Sequence, residues 1–119
     1  MKAIKVIGSG FIPFRGFTAV NLFGIVVARN EYLPLSVRIL HHETIHTHQI
    51  KELWYVGFYV WYIVEWLLRV ICYRNLKEAY MNICFEREAF DNDENDIYLK
   101  QRKRFAFLPY LFNEKQFRF

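Results

Sequence analysis

The sequence predicts an α+β domain: a short N-terminal antiparallel β-hairpin or sheet followed by three to four helices, one carrying a histidine motif. Three observations carry that expectation. Residues 17–28, FTAVNLFGIVVA, are rich in the β-branched and aromatic side chains that suit a pleated, half-buried surface. From Pro34 onward, Ile39, His42, His46, Ile50 and Leu53 recur at the three- and four-residue steps of one helical face. Residues 53–73, LWYVGFYVWYIVEWLLRVICY, form a long aromatic and aliphatic stretch.

The elements follow in order. Val6-Ile7 and Phe11-Ile12, interrupted by Gly8-Ser9-Gly10 and Pro13, read as extended chain with turns. Residues 17–28 complete a hairpin, with Gly24 as a bulge. Pro34-Leu35-Ser36 announces a helix with Ser36 as its N-cap. The stretch 53–73 gives the next helix, in which Glu65 and Arg69 are spaced to pair. Asn75-Leu76-Lys77-Glu78 reads as a capping box that opens a helix through LKEAYMNICFEREAFDN. Asp91, Asp93, Glu94 and Asp96 then precede a final helix, and FAFLPYLF, 105–112, is an apolar tail broken by Pro109. The 119 residues read as one domain, β-rich over 1–33 and helical over 34–119.

Composition narrows the class. The chain is 54% hydrophobic and 19% aromatic with only 24% charged residues, which excludes general disorder and demands a compact core, a partner or lipid. The uncharged run in 53–73 is twelve residues, against about 20 for a bilayer-spanning helix. A buried central helix, an interfacial helix and a helix in a lipid-embedded bundle are therefore all open. Trp54, Trp61 and Trp66 suit a core, an interface or a membrane boundary. The formal charge is +4, and the run Lys100-Gln101-Arg102-Lys103-Arg104 reads as a solvated face of the last helix. It suits an anionic membrane surface better than nucleic acid, and no nucleic-acid partner is expected. Cys72 and Cys84 have neither disulfide-framework nor zinc-pair spacing. The opening MKAIKVIGSGFIPFRG lacks an apolar core followed by a cleavage site, so the expectation is a cytoplasmic chain without a signal peptide, with membrane association through 53–73.

All four histidines fall in HHETIHTHQ, 41–49. Within it, His42 and His46 are four apart, so on a helix both imidazoles converge on one ion. Glu43 sits about 100° around the axis, beside such an ion, where it can take a proton from water whose pKa the ion lowers toward about 7. His41 and His48 fall off this face. A catalytic zinc needs a third protein ligand, and Glu86 or Glu88, in Glu86-Arg87-Glu88-Ala89 on a later helix, is placed to supply it.

HETIH followed by an ExxA stretch on a later helix resembles the gluzincin class of HExxH zincin metallopeptidases. The chain is similar in size to the single-domain minigluzincins, and to small bacterial HExxH proteins with an aromatic helix between the two elements. The resemblance implies a zinc ion held by His42, His46 and Glu86, with Glu88 as the alternative, and Glu43 as general base and acid. It implies an extended peptide substrate paired along the strand in 17–28. Phe90 stands where the family pattern ExxAD has its aspartate, so Asp91 takes the role of orienting a ligand histidine. Tyr98, Arg102 and His48 are the candidates for stabilising an oxyanion. The reading from another class is a membrane-associated or interaction protein, with 53–73 as its working surface and a structural metal site.

Overall fold

The computed structural model describes residues 5–10 and 18–112. Strands β1 (Lys5–Ser9), β2 (Ala19–Leu22) and β3 (Ile25–Arg29) precede a 3-10 turn and six helices. The helices are α1 (Val37–Glu52), α2 (Val56–Tyr73), α3 (Leu76–Met81), α4 (Cys84–Asn92), α5 (Tyr98–Gln101) and α6 (Leu108–Phe112). The architecture is thus α+β, with the sheet at the N-terminal end.

The sheet is mixed, in the order β1-β3-β2. β2 and β3 form the expected antiparallel hairpin, while β1 joins β3 in parallel. The hairpin turn is Phe23-Gly24, both at positive φ (56° and 95°), the backbone a two-residue turn of matching twist requires. Gly24 is therefore the turn and not a bulge. Gly8 lies inside β1 instead of breaking it, and its missing side chain leaves room for the close approach of the Asn30 and Leu33 side chains. Phe11, Ile12 and Pro13, expected to continue the extended chain, lie outside the described residues.

Ser36 caps α1, its hydroxyl accepting from the Ile39 N–H at 3.2 Å. Leu53, Trp54 and Tyr55, expected to start the next helix, form the link instead. Trp54 and Tyr55 are at φ 59° and 63°, so the chain reverses before α2 begins. α2 is not a buried central helix: of its eighteen residues only Phe58 and Glu65 are buried.

Asn75 caps α3 by accepting from Glu78 N–H at 2.9 Å. The single helix expected from 76 to 92 is broken in two. The Asn82 side chain donates to the Glu78 carbonyl at 2.7 Å, a local bond that competes with helix continuation. Ile83 is then extended (ψ 138°) and α4 starts afresh. Its first N–H, on Cys84, donates to Glu65 Oε2 at 2.8 Å, a carboxylate placed where a helix N-terminus favours negative charge. Glu65 is held there by Arg69 at 2.7 Å and by the Trp61 indole N–H at 3.0 Å.

Past α4 the expected final helix is only one turn, α5. Arg102 in the basic run is not solvated. It bonds the carboxylates of Glu52 and Glu88 at 2.6–3.1 Å, while Lys100, Lys103 and Arg104 are exposed. Pro109 does not interrupt the tail but sits in the first turn of α6, where its missing N–H costs nothing. The core formed by α1, α2, α4 and the tail is Ile50, Phe58, Ile83, Cys84, Phe85 and Phe107.

Candidate metal centre

The break between α3 and α4 aims α4 across α1, and this brings Glu86 to the histidines. Glu86 Oε1 lies 3.0 Å from His42 Nε2 and 3.0 Å from His46 Nε2. The three residues are buried and their ligand atoms all lie within 4.8 Å of one another. A tetrahedral zinc with bonds near 2 Å sets its ligand atoms about 3.3 Å apart, close to the 3.0 Å between Glu86 Oε1 and each Nε2. The donor set, two imidazoles and one carboxylate, can hold a metal ion.

The outer nitrogens fix how the inner ones face. His42 Nδ1 meets Asp93 Oδ2 at 3.1 Å, and His46 Nδ1 meets Gln49 Oε1 at 2.7 Å. The Gln49 amide nitrogen donates to the Phe85 carbonyl and to Glu88 Oε1, both at 3.0 Å, which turns its oxygen toward His46. Both Nδ1 atoms therefore carry hydrogen, and in the neutral rings both Nε2 lone pairs point at the Glu86 carboxylate. Three acceptors facing one another need a positive centre among them, either protons or a metal ion. Tyr62 donates to the other Glu86 oxygen, Oε2, at 2.7 Å, which leaves Oε1 for the centre.

The electrostatics express the same demand. Burial opposes charge on His42, but its bonds to Asp93 and Glu86 outweigh burial and raise its pKa to about 10. His46 is likewise raised: burial opposes its charge, and the Glu86 carboxylate overcomes burial. Burial would raise Glu86, yet the two imidazoles hold it well below the usual carboxylate range. Glu43 is buried on the same turns of α1, and burial raises its pKa against the pull of His46 and His42. A carboxylate that protonates more readily than usual is suited to proton transfer.

β2 braces the motif helix from the sheet side. Asn21 donates through its amide to the Glu43 carbonyl at 2.8 Å and to the Thr47 hydroxyl at 2.7 Å. Among the described residues β2 is at the sheet edge, and Arg29 N–H donates to the Thr18 carbonyl, so the pairing turns the backbone groups of Ala19 and Asn21 outward. The Tyr59 hydroxyl occupies part of that edge, donating to the Asn21 carbonyl at 3.0 Å and accepting from Phe23 N–H at 2.7 Å.

The remaining sequence candidates go elsewhere. Glu88, two residues from Glu86, is turned about 160° away on α4 and accepts from Gln49, Tyr98 and Arg102. Tyr98 and Arg102 are engaged there too, and His48 is exposed. Asp91 does not meet His42 or His46. It lies five residues and about 140° from Glu86 and accepts from the Tyr110 hydroxyl at 2.8 Å. Asp93, seven residues and two turns from Glu86, returns to the same face and meets His42. His41, off the motif face, has its Nδ1 3.2 Å from the Asp93 carbonyl. Sequence reasoning missed Asp93, Gln49 and Tyr62. The seven-residue interval from Glu86 to Asp93 was the available signal for the first, and the i, i+3 step from His46 for the second. No family model matches the chain, and no match was found among curated proteins or solved structures.

Proposed function

We propose that this chain is a zinc-dependent hydrolase, acting on peptides, with His42, His46 and Glu86 as the metal ligands and Glu43 as general base. The observation that carries the reading is the pair of oriented imidazoles: Asp93 and Gln49 hold both Nδ1 atoms so that both Nε2 atoms face Glu86 Oε1. Two histidines and a glutamate, each backed by a further hydrogen bond, are a donor set of hydrolytic zinc sites. Zinc bound by such a set supplies Lewis acidity toward a carbonyl and toward water.

The chain's own groups supply the rest. Glu43 takes a proton from the attacking water and passes it to the leaving amine, and its burial brings its pKa toward that task. The outward groups of β2 at Ala19 and Asn21 give an extended peptide a strand to pair with, and the Tyr59 hydroxyl marks where that pairing stops.

The test is elemental analysis joined to a peptide-library digest, on the wild type and on Glu43→Gln. About one zinc per chain in both, with cleavage in the wild type alone, is the expected result. Zinc in both with equal cleavage would remove Glu43 from the mechanism. A wild type that takes up no zinc on reconstitution would overturn the reading.

A further inference from the structure

The outer face of α2 inverts the usual order of a surface helix. A helix on a water-facing surface turns its charged and polar residues outward and its apolar stripe inward. Here Val60, Ile63, Val64, Leu67, Leu68 and Ile71 are each at least half exposed, at steps of three and four over three turns. Of the described exposed residues of α2, none bears a charge, an amide or a hydroxyl. Most polar groups of the same helix turn inward and are satisfied there, while the Trp66 indole N–H meets the Leu76 carbonyl at the surface. Tyr59 bonds β2, Tyr62 bonds Glu86, and Arg69 and the Trp61 indole bond Glu65. By length and composition α2 is also the one helix, among the described residues, able to cross a membrane.

We infer that this face of α2 rests on a lipid bilayer, with the helix axis along the membrane surface and the aliphatic side chains in the acyl-chain boundary. Three features favour lipid over a second copy of the chain. Protein interfaces are built around aromatic, methionine and arginine anchors, whereas the exposed residues within α2 include none of these and, apart from Gly57 and Cys72, are aliphatic. The two ends of the helix carry the groups that sit at headgroup level. Trp54, 84% exposed, and Tyr55 lie before its first turn, and Arg74 and Lys77 are exposed past its last, with Lys51 nearby on the α1 end. The apolar surface also continues onto the hairpin tip, where exposed Phe23 stacks with Tyr55 at 6.4 Å. The axis lies in the membrane plane because the inward face of α2 is bonded to the sheet, α4 and the tail along its length.

The experiment is flotation of the full chain, in detergent-free buffer, with mixed phosphatidylcholine–phosphatidylglycerol vesicles. Alongside it, an environment-sensitive fluorophore on Cys72 reports the polarity at the outer face, since Cys72 is exposed and Cys84 buried. The wild type is expected to float with the vesicles in low and in high salt, and its label to shift to the blue. Ile63→Asn with Leu67→Asn and Ile71→Asn should lower partitioning about a hundredfold or more. Its circular dichroism should stay unchanged, because these side chains face outward. Arg74→Gln with Lys77→Gln should weaken binding to the anionic vesicles and leave the blue shift. Three results would overturn the inference. One is a wild type that stays in the aqueous fraction. Another is complete release by high salt, which would assign the binding to charge alone. The last is a dimer in solution that the triple variant splits, with no flotation, which would make a second copy the occupant.

Discussion

Asp93 Oδ2 stands 3.1 Å from Nδ1 of His42, and its backbone carbonyl lies 3.2 Å from Nδ1 of His41, so one residue at the end of α4 holds two neighbouring histidines of α1. Arg38 adds a third tie, donating to the Asp93 carboxylate at 3.2 Å. Asp93→Ala removes the acceptor that fixes the His42 ring and its tautomer. Zinc affinity is expected to fall about 10- to 100-fold, read by competition with a chelating dye. Asp91→Ala should leave it unchanged, and an equal loss in both variants would refute the assignment of Asp93.

Glu86 and Glu88 should separate cleanly. Glu86→Ala removes a ligand and should abolish zinc uptake. Glu88→Ala should keep the zinc and lose stability, because Glu88 is fully buried and Arg102, with its side chain 3% exposed, would lose one of its two carboxylates. Breaking a buried pair of this kind costs about 3–5 kcal/mol, measured as a shift in the denaturant midpoint. Loss of zinc in Glu88→Ala with a normal midpoint would reverse the two roles.

The motif helix was legible because its signal is local. Ser36 and the three- and four-residue steps from Ile39 to Leu53 fix both the start of α1 and the face that carries His42 and His46. What lay outside local reading is the break at Asn82-Ile83. It depends on the Glu65 carboxylate, from α2, capping the α4 N-terminus, a contact between residues nineteen apart. Position in the family pattern puts Asp91 next to the place of its aspartate, whereas the crossing of α4 over α1, which that break sets, is what turns Asp93 to His42. Arg102 failed for the same reason. A basic run reads as solvated unless the two carboxylates that bury it, Glu52 and Glu88, are known to meet.

Tyr59→Phe tests whether the β2 edge serves a peptide. The hydroxyl bridges the Asn21 carbonyl and the Phe23 N–H, so its removal should cost about 0.5–1.5 kcal/mol of stability. It should also free two backbone groups next to the site. For a peptide that pairs along this edge, KM is expected to change with kcat retained. A change in kcat alone would place the substrate elsewhere.

Metal removal should be visible in stability, because the ion binds a site assembled only in the folded chain. His42 and His46 come from α1 and Glu86 from α4, so an unfolded chain offers them no common geometry. At free zinc about a hundred times the dissociation constant, linkage predicts about 2.7 kcal/mol of stabilisation. For a domain of this size that is a rise in Tm of roughly 10 °C. The shift should vanish with a chelator and in His46→Ala. It should persist in Glu43→Gln, since Glu43 stands beside the ligand set and not within it. A Tm unmoved by zinc in the wild type would mean that the positive centre among these three acceptors is a proton, and that the site is a buried ion pair.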